Sequence, residues 1–161
     1  MEELVAEIVA SILNIVVEVA FAFWVDIVTL VSASLLTWIQ TDLGALVAAS
    51  VRDAFFVLGT ITLATYDSIK ESWSELRRFL IEALIEFEQS SSRSWTRRFT
   101  TTLLRVLESG QLKLIKREIE EEVDWDHLPP EIRAAWWNSA QKSHKVDFIE
   151  VRDKEIQTLA H

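Results

Sequence analysis

Residues 42–88 read DLGALVAASVRDAFFVLGTITLATYDSIKESWSELRRFLIEALIEFE, and the periodicity of this stretch decides the expected fold. Val47, Val51, Ala54, Leu58, Ile61, Thr65, Ile69, Trp73, Leu76, Leu80, Ala83 and Phe87 follow one another in steps of three and four. Thr65 is the one polar member, and its methyl group still packs. Such spacing is the seam of a packed helix. No proline interrupts it, and the lone Gly59 costs only about 1 kcal/mol inside a helix. The stretch predicts a single helix from about 42 to 88, which at 1.5 Å per residue is ~70 Å long.

Working outward toward the N-terminus, Gln40, Thr41, Asp42 and Gly44 offer a turn, with Asp42 suited to cap the helix that follows. Nothing breaks residues 3–39, which read as a first helix, apolar nearly all round. At 100° per residue its polar members Glu3, Glu7, Ser11, Asn14, Glu18, Asp26, Thr29 and Ser32 fall in one narrow sector. In a membrane such a stripe faces the bundle interior or a water path. In water it faces solvent, and the apolar remainder must be covered.

Toward the C-terminus, Gln89 to Ser94 is a short polar run that reads as a linker. Trp95 to Ser109 predicts a helix with Trp95, Phe99, Leu103 and Val106 inward and Gly110 as its C-cap. Residues 111–123 carry two signals. Leu112 and Leu114 alternate as in a strand, while Ile115, Ile119 and Val123 are spaced as in a helix, and helix is the expectation. Asp126 to Glu131, with Pro129 and Pro130, suits a helix entry to Ile132–Ser143. Val146 to Val151 has strand composition, and Arg152 to Ala160 reads as a terminal helix.

The expected fold class is therefore all-α. A long antiparallel helical hairpin occupies 1–89 and can serve as two transmembrane helices. A linker follows at 90–94, then a small, mostly helical domain over 95–161 with one short strand.

Composition sharpens the environment. Half of the 161 residues are hydrophobic and a quarter are charged, with a mean hydropathy of +0.18. Residues 1–66 hold seven acids and one base, Arg52. A net charge of −9 argues against nucleic acid as a partner, since that surface must be basic. The absence of cysteine excludes disulfides, zinc thiolates and thiol catalysis. The N-terminus has no positive n-region, so the apolar segment behind it is expected to be retained.

Val19–Thr37 is hydropathic enough to span a bilayer, even with Asp26 costing about 3 kcal/mol. The second helix carries Arg52 and Asp53, costing about 5–7 kcal/mol together, and would insert only as part of a hairpin. With the turn near Thr41, Asp26 and Arg52 come within one helical turn and are expected to pair. Lys70, Arg77 and Arg78 follow the second span, which puts both termini in the cytoplasm. The alternative is a cytoplasmic helical subunit whose apolar faces are buried in a larger complex.

Candidate chemistry is sparse. The stripe Glu7, Asn14, Glu18 and Asp26 would line a cation path if several copies formed a ring. The plainer reading is a polar seam that fixes helix register. Asp124, Asp126, His127 and Glu131 resemble an oxygen-rich divalent site but equally a helix-entry loop, and no EF-hand spacing is present. His144 and His161 lack partners at catalytic spacing, and Ser90–Ser94 lacks a glycine elbow. Arg93, Arg97, Arg98 and Arg105 can meet anionic headgroups or an acidic partner. Glu82, Glu86, Glu88 and the run Glu118–Glu122 offer them partners at home. Trp136 and Trp137 are adjacent, so one ring faces differently from the other and can anchor a partner. The expected role is a non-enzymatic, membrane-anchoring scaffold or assembly subunit without a cofactor. Its expected partners are other copies of itself or other subunits, with membrane lipid. A homo-oligomeric cation channel is the alternative.

Overall fold

A computed structural model describes residues 2–13, 15–55, 63–91, 93–127, 133 and 143–159. Helix α1 (Glu2–Leu13) is followed by α2 (Val17–Leu43), α3 (Ala45–Val51), a 3-10 turn (Arg52–Phe55) and α4 (Leu63–Leu76). Three strands come next: β1 (Leu80–Gln89), β2 (Ser94–Val106) and β3 (Leu112–Asp124). A 3-10 turn (Trp125–His127), β4 (Ser143–Asp147) and α5 (Phe148–Leu159) complete the order. The four strands form one antiparallel sheet in the order β3-β2-β1-β4. The fold is mixed α/β, and the all-α expectation is overturned.

The sheet arises where the helix seam was expected to end. Leu80 to Glu88 satisfies two periods at once. Leu80, Ala83 and Phe87 suit a helix, while Ala83, Ile85 and Phe87 alternate as on a strand face. Opposite Ile85 and Phe87 lie Phe99 and Arg97 of β2, and this pairing selects the strand. The expected helix at 95–109 fails for a related reason. Trp95, Phe99 and Leu103 are four apart, a spacing close to a helical turn and also an even number. On β2 these three side chains therefore share one face, and all are buried. Thr100, Thr101 and Thr102 between them disfavour helix and favour strand.

Residues 111–123 likewise form strand instead of helix. The expected linker falls at the β1–β2 hairpin, where the Ser90 and Ser91 amides both donate to the carbonyl of Ser94, the first residue of β2, at 3.0 and 3.2 Å. Gly110 closes no helix. It takes φ +83° in the β2–β3 turn, where its amide donates to Leu107. Of the expected helix at 132–143, Arg133 is helical and Ser143 begins β4, while its other residues, the pair Trp136 and Trp137 included, lie outside the described residues. The strand expected at 146–151 begins earlier, at Ser143, and gives way to α5 at Phe148.

The long helices are also divided differently. The chain turns at Ile15 and Val16, where Val16 is extended, so α1 lies back against α2. The turn expected near residue 41 falls at Gly44, with φ +104°, and sends α3 back along α2. Asp42 does not cap the following helix but sits in the last turn of α2. The expected helix 42–88 is broken at Gly44, gives way to a 3-10 turn after Val51, is α-helical again over Leu63–Leu76, and contributes β1 at its far end.

The core explains these breaks. One face of the sheet buries Ala83, Ile85, Phe87, Trp95, Phe99, Leu103 and Val146. Against it lie Phe23, Trp24, Ile27, Val31, Leu35 and Ile39 of α2, with Phe148 and Val151 of α5, in one continuous cluster. Phe23 meets Phe87 at 4.8 Å between ring centroids, Trp24 stacks on Phe148 at 5.2 Å, and Trp38 lies flat on Phe99 at 5.5 Å. Part of the apolar surface of α2 is thus covered by the chain's own sheet. Helix α2 is long and apolar enough to cross a membrane by length and composition, with a mean hydropathy of 2.1, and 44% of that window is buried inside the fold. It is the one such helix among the described residues, and the second expected span is interrupted by α3 ending at Val51.

Helix α5 adds a charged pair to this interior. Arg152 and Glu155 are both fully buried and 3.3 Å apart, and Arg152 also donates to the Ala54 carbonyl at 2.7 Å. Burial pushes the Glu155 carboxyl up and the Arg152 guanidinium down, and their mutual attraction opposes both shifts. Tyr66 and Trp73 of α4 dock on the same helix by donating to the Ile156 carbonyl and the Asp153 carboxylate, at 2.8 and 2.7 Å. Arg152→Met should lower the unfolding free energy in urea by about 3–5 kcal/mol, because it strands a buried carboxyl. The pair Arg152→Met with Glu155→Leu should recover most of that loss.

Candidate functional site

An open groove of about 490 Å³ lies between α2 and strands β2 and β3. Asp26, Thr29, Leu30, Ala33, Ser34, Thr37 and Trp38 line it from the helix, Arg97 from β2, and Ile119 and Glu121 from β3. Its charged end is built around Arg97, whose guanidinium donates to Asp26 at 3.1 Å and to Glu121 at 2.6 Å. Arg97 is largely buried, while both carboxylates are about half exposed. Its charge is already matched by two acids, so the groove does not attract anions. Its apolar end is the Trp38 ring and Ile119.

The polar side chains of the groove serve the helix more than the cavity. Thr29 donates to the Val25 carbonyl at 2.9 Å and Thr37 to the Ala33 carbonyl at 3.1 Å. No histidine lines the groove, so its hydroxyls have no imidazole base beside them.

A second clamp fixes the far end of α2. Arg117 of β3 grips Asp42 with two parallel hydrogen bonds of 2.7 and 2.6 Å, and Asp42 is only 8% exposed. These bonds hold the Asp42 carboxyl below its ordinary value of 3.8, against the opposing effect of burial, and raise Arg117 in turn. The two clamps are sixteen residues apart along α2, about 24 Å of helix. The first joins α2 to β2 and, through Arg97, to Glu121 of β3, and the second joins α2 to β3 directly.

The residues singled out in the sequence are scattered across this frame. Asp26 and Arg97 are brought together. The expected Asp26–Arg52 pair does not form, because Asp26 faces the sheet while Arg52 lines a separate groove with Leu36, Gln40, Ala45 and Ala48. The acidic stripe is divided, with Glu7 exposed on α1 and Glu18 exposed on the first turn of α2. Asn14 lies outside the described residues. Arg93 sits exposed at the β1–β2 turn, 3.5 Å from Asp126. Arg98 points to the opposite face from Arg97 and gathers Glu86, Glu118 and Glu120 at 3.2–3.5 Å. Asp124 and His127 are 3.7 Å apart and exposed, and no cluster suited to a metal occurs among the described residues.

Glu121 belongs to the acidic run Glu118–Glu122 expected to meet the arginines, and it meets Arg97. Arg117 was not anticipated, and Asp42 was expected only as a helix cap. A signal for Arg117 was present. On a strand, Lys113, Arg117 and Glu121 share the face of Ile115, Ile119 and Val123, so charged residues recur on a half-buried face. Arg152 and Glu155 similarly occupy the inward stripe of α5 with Phe148 and Ile156.

Fold and groove together define a two-layer α/β domain with a charged clamp beside an edge strand. Comparison with protein-family models, with characterised proteins and with solved structures finds no match for the chain. The clamp makes a prediction about acid stability. A carboxyl whose folded pKa lies below 3.8 contributes stability that is complete above the unfolded value and is lost as pH falls through the folded one. Asp42→Asn should therefore cost about 1–3 kcal/mol in urea unfolding at neutral pH. That difference should shrink toward zero at strongly acidic pH.

Proposed function

We propose that the protein is a non-enzymatic assembly module whose working surface is the outer edge of β3 together with the groove beside it. The single observation that carries this reading is the strand itself. β3 is thirteen residues long, lies at the sheet's margin, and pairs only with β2 among the described residues. Edges of that length offer a row of free amides and carbonyls, which proteins cover, shorten or use for pairing. Here the strand is held out rigidly. Arg117 and Glu121 tie it to α2 directly or through Arg97, so its backbone is organised before any partner arrives.

The assembly role then rests on a sheet edge and not on a helix seam. Exposed Leu112 and Leu114 at the start of β3, with Val106 opposite Leu112, extend the same surface with apolar contacts. The groove supplies a flanking polar rim. No step of bond making is asked of it.

The test is the size of the native particle. In sedimentation of a native cell extract, the full-length chain should travel in a particle larger than its own 18.5 kDa. Hydrogen exchange on that purified particle should protect the β3 amides that do not bond to β2. A particle of monomer size with those amides unprotected would overturn the reading.

A further inference from the structure

We propose that the partner on the β3 edge is β3 of a second copy of this chain, joined antiparallel across a two-fold axis that passes by Arg117. This rests on the reading of β3 as a pairing edge and names its occupant. The charge pattern of the strand carries it. Lys113, Lys116 and Arg117 occupy the first half, and Glu118, Glu120, Glu121, Glu122 and Asp124 the second. Antiparallel self-pairing lays each half against the opposite half of the other copy.

The register follows from the side chains. With the axis at Arg117, outward-facing residues meet outward-facing residues and the two sheets continue without a change of face. Lys116 then lies opposite Glu118, Lys113 opposite Glu121, and Ile115 opposite Ile119, each twice by symmetry. Residues 112–122 of both strands overlap over about 36 Å. Moving the axis to Glu118 sets that acid against itself and leaves Lys113 facing Val123. Moving it to Lys116 sets two ammonium groups together. Leu114 and Leu112 meet Glu120 and Glu122, near the ends of the overlap.

Arg117 is the one residue that meets its own copy in this register, and the fold has already neutralised it. Its guanidinium is held in two bonds by Asp42 of its own chain. Lys113 and Lys116, by contrast, are exposed and have no ion pair among the described residues. Glu118 and Glu121 remain about half exposed. The cross-copy ion pairs set register more than affinity, which comes from the shared main-chain ladder.

The experiment is a charge exchange on the purified full-length protein, read by sedimentation velocity. The natural sequence should dimerise. K113E/K116E should weaken the dimer at least about tenfold, and so should E118K/E121K. An equimolar mixture of the two variants should restore a dimer, because every cross-copy pair is then opposite in sign again. A natural chain that stays monomeric at about 100 µM would overturn the proposal. So would variants that remain folded yet dimerise as well as the natural chain, or a mixture that remains monomeric.

Glu118 and Glu121 also touch Arg98 and Arg97, so a second measurement guards against misfolding. The chain has no cysteine. Lys116→Cys mixed with Glu118→Cys under mild oxidation should give the mixed disulfide in preference to either homodisulfide, since directly opposite strand residues are close enough to bridge. Preference for a 116–116 bridge would overturn the register. A monomeric purified chain that nevertheless travels in a larger particle in extract would leave β3 as a pairing edge for a different strand and remove the second copy as its occupant.

Discussion

Everything in this molecule depends on the burial of the apolar side of α2 against one face of a sheet. Phe23, Trp24, Ile27, Val31, Leu35 and Ile39 are nearly or fully buried, and each such side chain contributes about 1.5–3 kcal/mol when taken from water. The rings interlock across the two layers, Phe23 with Phe87 and Trp38 with Phe99. Without the sheet this helix would expose a surface that no small domain tolerates. With it, the residues α2 leaves exposed include Glu18, Ala22, Asp26, Thr29, Ala33 and Thr37, a polar and small-residue stripe.

The charged contacts are arranged around that burial. Asp26 and Asp42 flank the apolar side of α2, and each finds an arginine on the strands beneath. Dispersion and water exclusion supply the attraction, while the Arg97 and Arg117 clamps fix how α2 lies over the sheet. A consequence reaches the surface. Because Arg117 projects from β3, the clamp that locates α2 also stiffens the edge strand. The groove and the edge therefore belong to one rigid framework. The buried pair of Arg152 and Glu155 plays a comparable part between α5, Trp24 and the turn at Ala54.

Much of the helical half was legible. The apolar stretch behind Glu18 forms a helix, and the turn near Gly44 lies where its glycine allows positive φ. Leu63–Leu76 is helical as its spacing of three and four requires. The sheet was not legible, for a geometric reason. A spacing of four, as in Trp95, Phe99 and Leu103 or Ile115, Ile119 and Val123, keeps residues on one side of either a helix or a strand. Only the intervening residues could separate the two, and the three threonines of β2 were the clearest of them. The candidate site was half legible. Asp26 and Arg97 were picked out singly, as a buried acid and a basic cluster. Their partnership spans 71 positions and depends on a strand that the periodicity did not reveal.

By itself the sequence determined that a long apolar helix must be buried, that a turn interrupts it near Gly44, and that the basic residues of the second half have acids within reach. These are local consequences of composition, helical period and backbone freedom. Tertiary structure alone decided what covers the helix and which acid each arginine meets. It also decided whether Leu80 to Asp124 would be helix or sheet. Where two periods fit the same residues, the free energy of pairing with a distant strand and closing over a helix outweighs any local preference.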